Sequence, residues 1–378
     1  MKRLAIRILV FLTNLLYDLF KIFPSRNKIT LISRQSDEMT LDFKLLSEQL
    51  NKMSDAKIVV LTRTLDINVR GLLGYLGHIL RQMFNMATSR VVVLDGYCII
   101  ASILKHKKSL TIIQTWHATA AIKQFGHQTI GKEDGNPRIV ADEMKMHQNY
   151  DYVICASKET EKAFAKGFNV SMDKFVPMAL PRLDYMQRPA GDELKAITDK
   201  YPELLDKSKK NIVYIPTFRK DRPVDVASLA AYIDYSKYNL IVKPHSLDVG
   251  TCKLVEKLRL PNVICDQNLN TYDLIKLADC MISDYSSFII EASILDIPIY
   301  MYVFDLEEYK EKVGINVDMS QEAIGKYQFV KAKDVAKAIE ENNYDMESLH
   351  QFRDKYIEVE TKDACQRLAA FVIDKLNK

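Results

Sequence analysis

A doubly wound α/β architecture in two domains is the fold this sequence predicts, and three observations predict it. Short, continuous apolar runs recur along the chain, as strands buried on both faces of a parallel sheet require. Helical runs lie between most of them, the alternation that builds doubly wound sheets. The length, 378 residues, suits two cores of ordinary size better than one.

The chain opens with residues 1–23, dominated by Leu4, Ile6, Ile8, Leu9, Val10, Phe11, Leu12, Leu15, Leu16, Leu19, Phe20, Ile22 and Phe23. On a helix turning ~100° per residue, Arg3, Arg7, Asn14, Asp18 and Lys21 fall in one stripe roughly 60° wide. No small-residue cleavage site precedes Pro24, so a signal peptide is not indicated, and Asp18 weighs against a spanning helix. The pattern predicts a membrane-interface amphipathic helix with its narrow polar stripe wet and its basic residues near phospholipid headgroups; a helix packed on the protein's own core is the alternative.

From residue 24 the strand and helix rhythm begins. Ile29–Ile32 and Lys57–Leu61 read as strands with a helix from Leu41 to Leu50 between them, and a second apolar helix runs from Leu72 to Met86. Strands follow at Arg90–Asp95, Leu110–Gln114, Tyr152–Cys155, Asn211–Ile215, Asn239–Val242, Val263–Cys265, Cys280–Ile282 and Ile299–Tyr302. The charged stretch Arg188–Lys210 has no strand signal and carries Pro189 and Pro202, which makes it the interdomain connection. Domains are therefore expected at 1–23, 24–188 and 189–378.

Composition bounds the chemistry. At 48% hydrophobic and 27% charged residues the chain is globular, and a net charge of +4 is too weak to argue for nucleic acid as a partner while leaving room for an anionic surface or a phosphorylated ligand. Six cysteines without CxxC spacing read as reduced core residues, so neither a metal site nor a cofactor is expected. P-loop and GxGxxG fingerprints are missing, which disfavours ordinary ATPase or dinucleotide chemistry.

The chemistry-bearing residues sit where predicted strands end, the place at which open α/β sheets bind ligands. After Ile113 comes Gln114-Thr115-Trp116-His117-Ala118, with Lys123 and Gly126 beyond; an imidazole there suits a general base, or a structural hydrogen bond. Pro216-Thr217-Phe218-Arg219 and Lys243-Pro244-His245-Ser246 place a guanidinium, an ammonium and a second imidazole after two later strands. Asp284-Tyr285-Ser286-Ser287 links the strand Cys280–Ser283 to a helical run from Ser287 to Leu295, a strand-to-helix turn fit to hold phosphate at a helix N-terminus. Together they favour a polyphosphate ligand neutralised by side chains and helix dipoles rather than by a metal.

In these motifs the chain resembles the CDP-glycerol glycerophosphotransferase family of teichoic acid synthesis. The resemblance rests on Trp116-His117-Ala118, Pro181-Arg182-Leu183-Asp184, Pro216-Thr217-Phe218-Arg219, Lys243-Pro244-His245 and Asp284 to Ser287, followed by Asp305-Leu306 and Tyr309, and it spans about residues 29–320. Glu291 stands where the family usually has Asp, Ala179 replaces a usual Gly, and Ala118 resembles the TagB/TarB primases more than the polymerases. The resemblance implies a GT-B-like fold of two Rossmann-like domains facing a cleft, N-terminal for acceptor and membrane, C-terminal for CDP-glycerol. It also implies that His117 deprotonates an acceptor hydroxyl that attacks the β-phosphorus and expels CMP, with Arg219, Lys243 and His245 stabilising the diphosphate. Ser286 and Ser287 would bind phosphate oxygens, Asp284 would order the turn or a ligand hydroxyl, and Glu291 would hold the ribose or glycerol end. Trp116, Lys123, Arg182, Asp184 and Thr217 complete the implied substrate-binding set. The implied acceptor is an undecaprenyl-diphosphate-linked ManNAc-GlcNAc disaccharide, on the cytoplasmic face of the membrane, with other teichoic acid enzymes as possible partners. A polymerase, a CDP-ribitol enzyme, a nucleotide-sugar glycosyltransferase of the same fold and a non-catalytic membrane scaffold are the alternatives.

Overall fold

The computed structural model describes residues 1–64, 69–132, 135–189, 191–219, 224–245, 248, 250–260 and 262–378; Ser246 and the side chains of Arg70, Leu72 and Leu73 lie outside the described residues. The chain divides into two compact units, Met1–Asp184 with Ile357–Lys378, and Tyr185–Tyr356. The expected second domain ran unbroken from residue 189 to 378, whereas the last helix, Ala364–Leu376, packs on the first unit. Its apolar face explains this: Leu368, Ala369, Val372 and Leu376 join the core formed by Ile29, Leu31, Val91, Val93 and Ile113.

The first unit carries β1 (Lys28–Ser33), β2 (Lys57–Thr62), β3 (Val91–Leu94), β4 (Thr111–Gln114), β5 (Tyr152–Cys155) and β6 (Phe175–Pro177), all parallel in the order β2-β1-β3-β4-β5-β6. Its central strands are buried on both faces, as their continuous apolar runs require. One face is covered by α2 (Leu41–Met53) and the C-terminal helix, through Phe43, Leu46 and Leu50. The other is covered by α1 (Lys2–Phe20) and α3 (Val69–Thr88), through Tyr17, Met83 and Met86 against Ile32, Val92 and Leu94.

The second unit carries β7 (Lys210–Tyr214), β8 (Tyr238–Val242), β9 (Val263–Cys265), β10 (Cys280–Ser283), β11 (Ile299–Tyr302) and β12 (Gln328–Phe329), again parallel, in the order β12-β11-β10-β7-β8-β9. In each sheet the chain reverses its direction of winding at one point: between β1 and β3 in the first, between β7 and β10 in the second. Such switch points open a crevice at the carboxyl ends of the strands, where ligands of this fold class bind. The sequence reading found ten of these strands; β6 was missed because it is three residues ending in Pro177, and β12 because two residues show no pattern.

Two expectations need correction. In α1 the polar stripe is bonded in part to the protein rather than to water alone: Arg7 donates to Glu143 at 2.7 and 3.1 Å, Asn14 donates to the Ile103 carbonyl at 3.0 Å and accepts from the Lys105 N–H at 2.9 Å, and Lys21 donates to the Lys105 carbonyl at 3.0 Å. Leu4, Ile8, Leu9, Phe11, Leu12, Leu15 and Leu19 are exposed, and so are Arg3, Arg7 and Asp18, so the stripe meets water in part while bonding to the protein, and the apolar face lies open beside it. The reason is that backbone groups left unpaired at the end of the short helix Ile99–Ile103 need polar partners, and Asn14 and Lys21 supply them. The cysteines are not all reduced either: Cys252 and Cys265 form a disulfide, brought together by the helix Thr251–Lys257 packing beside β9, while Cys98, Cys155, Cys280 and Cys365 are free and buried.

Candidate functional site

At the first switch point the polypeptide is shaped by side chains that return to the backbone. β4 ends at Gln114, whose buried amide donates to the Gly96 carbonyl at 3.0 Å and accepts from the Trp116 N–H at 2.8 Å. That second bond holds Trp116 at a φ of 59°, left-handed backbone that a residue with a Cβ adopts only under constraint. The indole packs among Phe125, Phe168 and His147, with ring centres 5.0, 5.0 and 5.8 Å away. Trp116 is thus an anchor for the loop that presents its neighbour.

His117 is that neighbour, and its ring is exposed. Its Nδ1 lies 3.2 Å from the Asp95 carbonyl and 3.2 Å from the Gln35 amide nitrogen. Desolvation by the surrounding protein lowers its pKa, the Asp95 carbonyl opposing and the charges of Arg182 and Lys123 adding. The direction is toward a neutral imidazole at pH 7.

Arg182, expected to bind substrate, is held by an ion pair with Asp42. It is 8% exposed, its Nε donates to Asp42 at 2.7 Å, its backbone N–H donates to the same carboxylate at 2.8 Å, and Nη2 also pairs with it. Its Nη1 donates to the His117 carbonyl at 3.0 Å, so the ion pair steadies the His117 loop from behind. Asp95, 2% exposed, accepts from Thr40 Oγ1 at 3.1 Å through Oδ2, while Oδ1 has no partner; burial pushes its pKa up to about 6. Lys123 and Asp184 are half-buried in the same unit.

The second switch point is occupied differently. Asp284, fully buried at the end of β10, accepts from the Thr217 N–H at 3.0 Å, Thr217 Oγ1 at 2.6 Å and the Tyr285 N–H at 2.6 Å. Arg219 donates to Asp284 at 2.7 Å through Nη1, and to Asp305 at 2.7 and 2.9 Å through Nε and Nη2. Phe304, Tyr285 and Tyr309 surround the guanidinium, with Tyr285 and Tyr309 stacked at 3.8 Å. Burial opposes the Arg219 charge, yet the bonds and charges of Asp305 and Asp284 outweigh it and hold its pKa above the ordinary value. The Arg219 side chain is 6% exposed, and its bonds to Asp284 and Asp305 tie the ends of β10 and β11 to the Thr217 turn. Thr217 is bonded to Asp284 through both its N–H and its hydroxyl.

Other groups in this unit stand nearer to solvent. His245 is exposed beyond β8, its ring 5.9 Å from that of Phe218, and Lys243 is buried beside it with Nζ donating to the Pro244 carbonyl at 2.9 Å. Burial lowers the Lys243 pKa, Asp266 opposing. Ser286 and Ser287 are half-buried; Ser286 Oγ accepts from the Phe288 N–H at 3.2 Å. The helix they open is short, Phe288–Ala292 followed by a 3-10 turn Ser293–Leu295, and Glu291 within it is 2% exposed. Among the described residues no group of three His, Cys, Asp or Glu side chains is placed to hold a metal ion.

Sequence reasoning missed Gln35, Asp42, Asp95, Gly96 and Gln114 as site residues. Asp95 and Gly96 carried a usable signal, a polar pair immediately after an apolar strand, whereas Asp42 reads as an ordinary first-turn helix acid.

Two six-stranded parallel sheets with polar clusters at their switch points define a GT-B-like transferase. Solved structures of the wall teichoic acid polymerase TagF share this fold over the entire chain, with a TM-score of 0.76 at 18% identity and coverage of 97% of that protein, one of them from a crystal soaked with CDPG. A UDP-GlcNAc 2-epimerase from Neisseria meningitidis is more distant, with a TM-score of 0.57 at 11% identity over 92% of this chain and 99% of that one. Residues 15–374 match the CDP-Glycerol:Poly(glycerophosphate) glycerophosphotransferase family, and the chain belongs to it. It is 27% identical to the teichoic acid ribitol-phosphate primase of Bacillus spizizenii over 92% of this chain and 90% of that one. It is 30% identical to the teichoic acid glycerol-phosphate primase of Bacillus subtilis over 63% and 62% of the two. The protein is thus an enzyme of the teichoic acid polyol-phosphate transferases.

Proposed function

We propose that the enzyme moves glycerol 3-phosphate from CDP-glycerol to a hydroxyl of an undecaprenyl-diphosphate-linked ManNAc-GlcNAc disaccharide, releasing CMP. The observation that carries this reading is the presentation of His117: an exposed, neutral imidazole with Nδ1 engaged by the protein and Nε2 left to act. In the step proposed, the acceptor oxygen bonds to the β-phosphorus, the bond from that phosphorus to the CMP oxygen breaks, and the acceptor proton passes to Nε2. Lys243, His245, Ser286 and Ser287, at the ends of β8 and β10, would receive the donor's charge. Positioning and charge do most of the work in such a transfer.

A second reading, ribitol phosphate from CDP-ribitol, is favoured by the longest match among the relatives above, to a ribitol-phosphate primase. CMP release from each donor with the lipid-linked disaccharide, followed by product mass, separates the readings. One glycerol phosphate added supports the primase, one ribitol phosphate the second reading, and a ladder of units a polymerase. No CMP from either donor would return weight to a glycosyltransferase or a scaffold.

The exposed face of α1 supports a peripheral seat on the membrane that carries such an acceptor. Leu76, Leu80 and Phe84 of α3 are exposed as well, and Phe84 packs edge-on against Phe20 and Phe23. No helix among the described residues is long and apolar enough to cross a membrane. Each leucine buried in the interface would contribute on the order of 1.5–3 kcal/mol. Replacing Leu9 and Leu12 by Glu should therefore lower binding to anionic vesicles by at least about tenfold in a flotation assay. Unchanged binding would remove this face from the reading.

A further inference from the structure

We infer that Gln35 and Gly96 are positioning residues that lock His117 in the tautomer carrying its proton on Nδ1, leaving Nε2 unprotonated; the inference deepens the reading of His117 as the base. Both lie at the first switch point, Gln35 just beyond β1 and Gly96 just beyond β3. The Asp95 carbonyl, 3.2 Å from Nδ1, can only accept, so a hydrogen bond there requires a proton on that nitrogen. The Gln35 atom placed 3.2 Å from Nδ1 is the amide nitrogen, which could only donate there; since the Asp95 carbonyl already requires a proton on Nδ1, the consistent assignment turns the amide over so that its oxygen accepts as well. Its approach depends on Gly96: a Cβ at that position would lie 2.8 Å from the Gln35 amide nitrogen, closer than real contacts allow. The backbone at Gly96 is not left-handed, so space, and not conformation, is what calls for glycine there. The Gly96 carbonyl in turn accepts from Gln114, which shapes the Trp116 turn, so the lock and the loop are braced through one residue.

The charged and titratable groups acting on the ring are Arg182, Lys123, Asp95 and His147. Neither Gln35 nor Gly96 alters that set, so their replacement should change tautomer and rate with little change in ring charge.

The test uses full-length protein labelled with 15N-histidine, the His117 resonances being assigned by their loss in His117→Ala. Long-range 1H–15N spectra should show the Nδ1-protonated form in the wild type. Gln35→Leu and Gly96→Ala should each bring in the other tautomer and lower kcat/KM for CMP release by about tenfold with KM for donor little changed. Because Gly96→Ala acts by displacing Gln35, the double variant should be no slower than either single one. Gln35→Glu, a carboxylate beside Nδ1, should raise the His117 pKa and move the acid limb of the pH profile upward. An Nε2-protonated ring in the wild type, or a ring unmoved by both single substitutions, overturns the inference. Gln35 is exposed, so its variants report even if Gly96→Ala folds poorly. The tautomer is read without turnover: a locked ring together with undiminished CMP release by His117→Ala would support the lock and defeat the assignment of His117 as base.

Discussion

The two switch points of this molecule have the same topology and opposite character. At the first, between β1 and β3, an imidazole stands open to water and a buried carboxylate oxygen has no partner. At the second, between β7 and β10, Asp284, Arg219 and Asp305 close into a network with aromatic walls and side chains no more than 6% exposed. The contrast teaches that a cluster of charged residues at a strand end is not by itself a ligand site. What matters is whether its hydrogen-bonding capacity is already used.

Four experiments would break or sharpen that contrast. The largest effect should come from His117→Ala, which should cut the rate of CMP release by about 10²–10⁴-fold at unchanged melting temperature, as loss of a general base does. Equal loss with a lowered melting temperature would make His117 part of the frame. Next, Arg219→Ala should destabilise the protein by about 3–5 kcal/mol in denaturant unfolding, because it leaves two buried carboxylates facing each other without a cation. A stable Arg219→Ala protein with weakened donor binding would instead make the second crossing a ligand site and erase the contrast.

A smaller effect concerns pH and stability. His147, 3% exposed and bonded to Tyr150 Oη at 2.9 Å, has its pKa lowered to about 3 by burial, with the charges of His127 and His117 adding. The unfolded chain takes up this proton near 6.5 and the folded one only far below, so stability falls as pH drops from about 6.5 toward 3. Asp95 acts with opposite sign, its burial penalty easing as pH falls below about 6. His147→Phe should flatten the decline in melting temperature between pH 7 and 4; an unchanged slope would show that other groups carry it. The smallest effect is kinetic: since the His117 pKa is lowered, kcat/KM should persist below the ordinary imidazole range before falling with acid. An acid limb at or above 6.5 would count against a desolvated, uncharged ring.

Much of the fold was legible because parallel strands buried on both faces announce themselves. Val91–Leu94 and Ile299–Tyr302 are continuous apolar runs with no rival reading. The motifs at their ends were legible too, but their roles were not. Arg219 reads as a phosphate-binding guanidinium and Arg182 as a substrate-binding one, yet both are held by carboxylates distant in the chain, Asp305 and Asp42. Nothing in local composition says which carboxylate will arrive. In α1 the polar stripe was legible, but a stripe does not state how its members divide between water, which Arg3, Arg7 and Asp18 meet, and the backbone ends of a neighbouring helix, which Asn14 meets.

The return of the helix Ala364–Leu376 to the first unit has a consequence for how the chain is born. A ribosome releases β1 to β6 early, but the helix that covers Ile29, Leu31 and Val93 emerges last, after all of Tyr185–Tyr356 has been made. During that interval the first unit must wait with one flank of its sheet uncovered, while the second has everything it needs to close. Synthesis order and completion order are therefore reversed, and a nascent chain stalled before residue 357 would hold a finished second half beside an unfinished first.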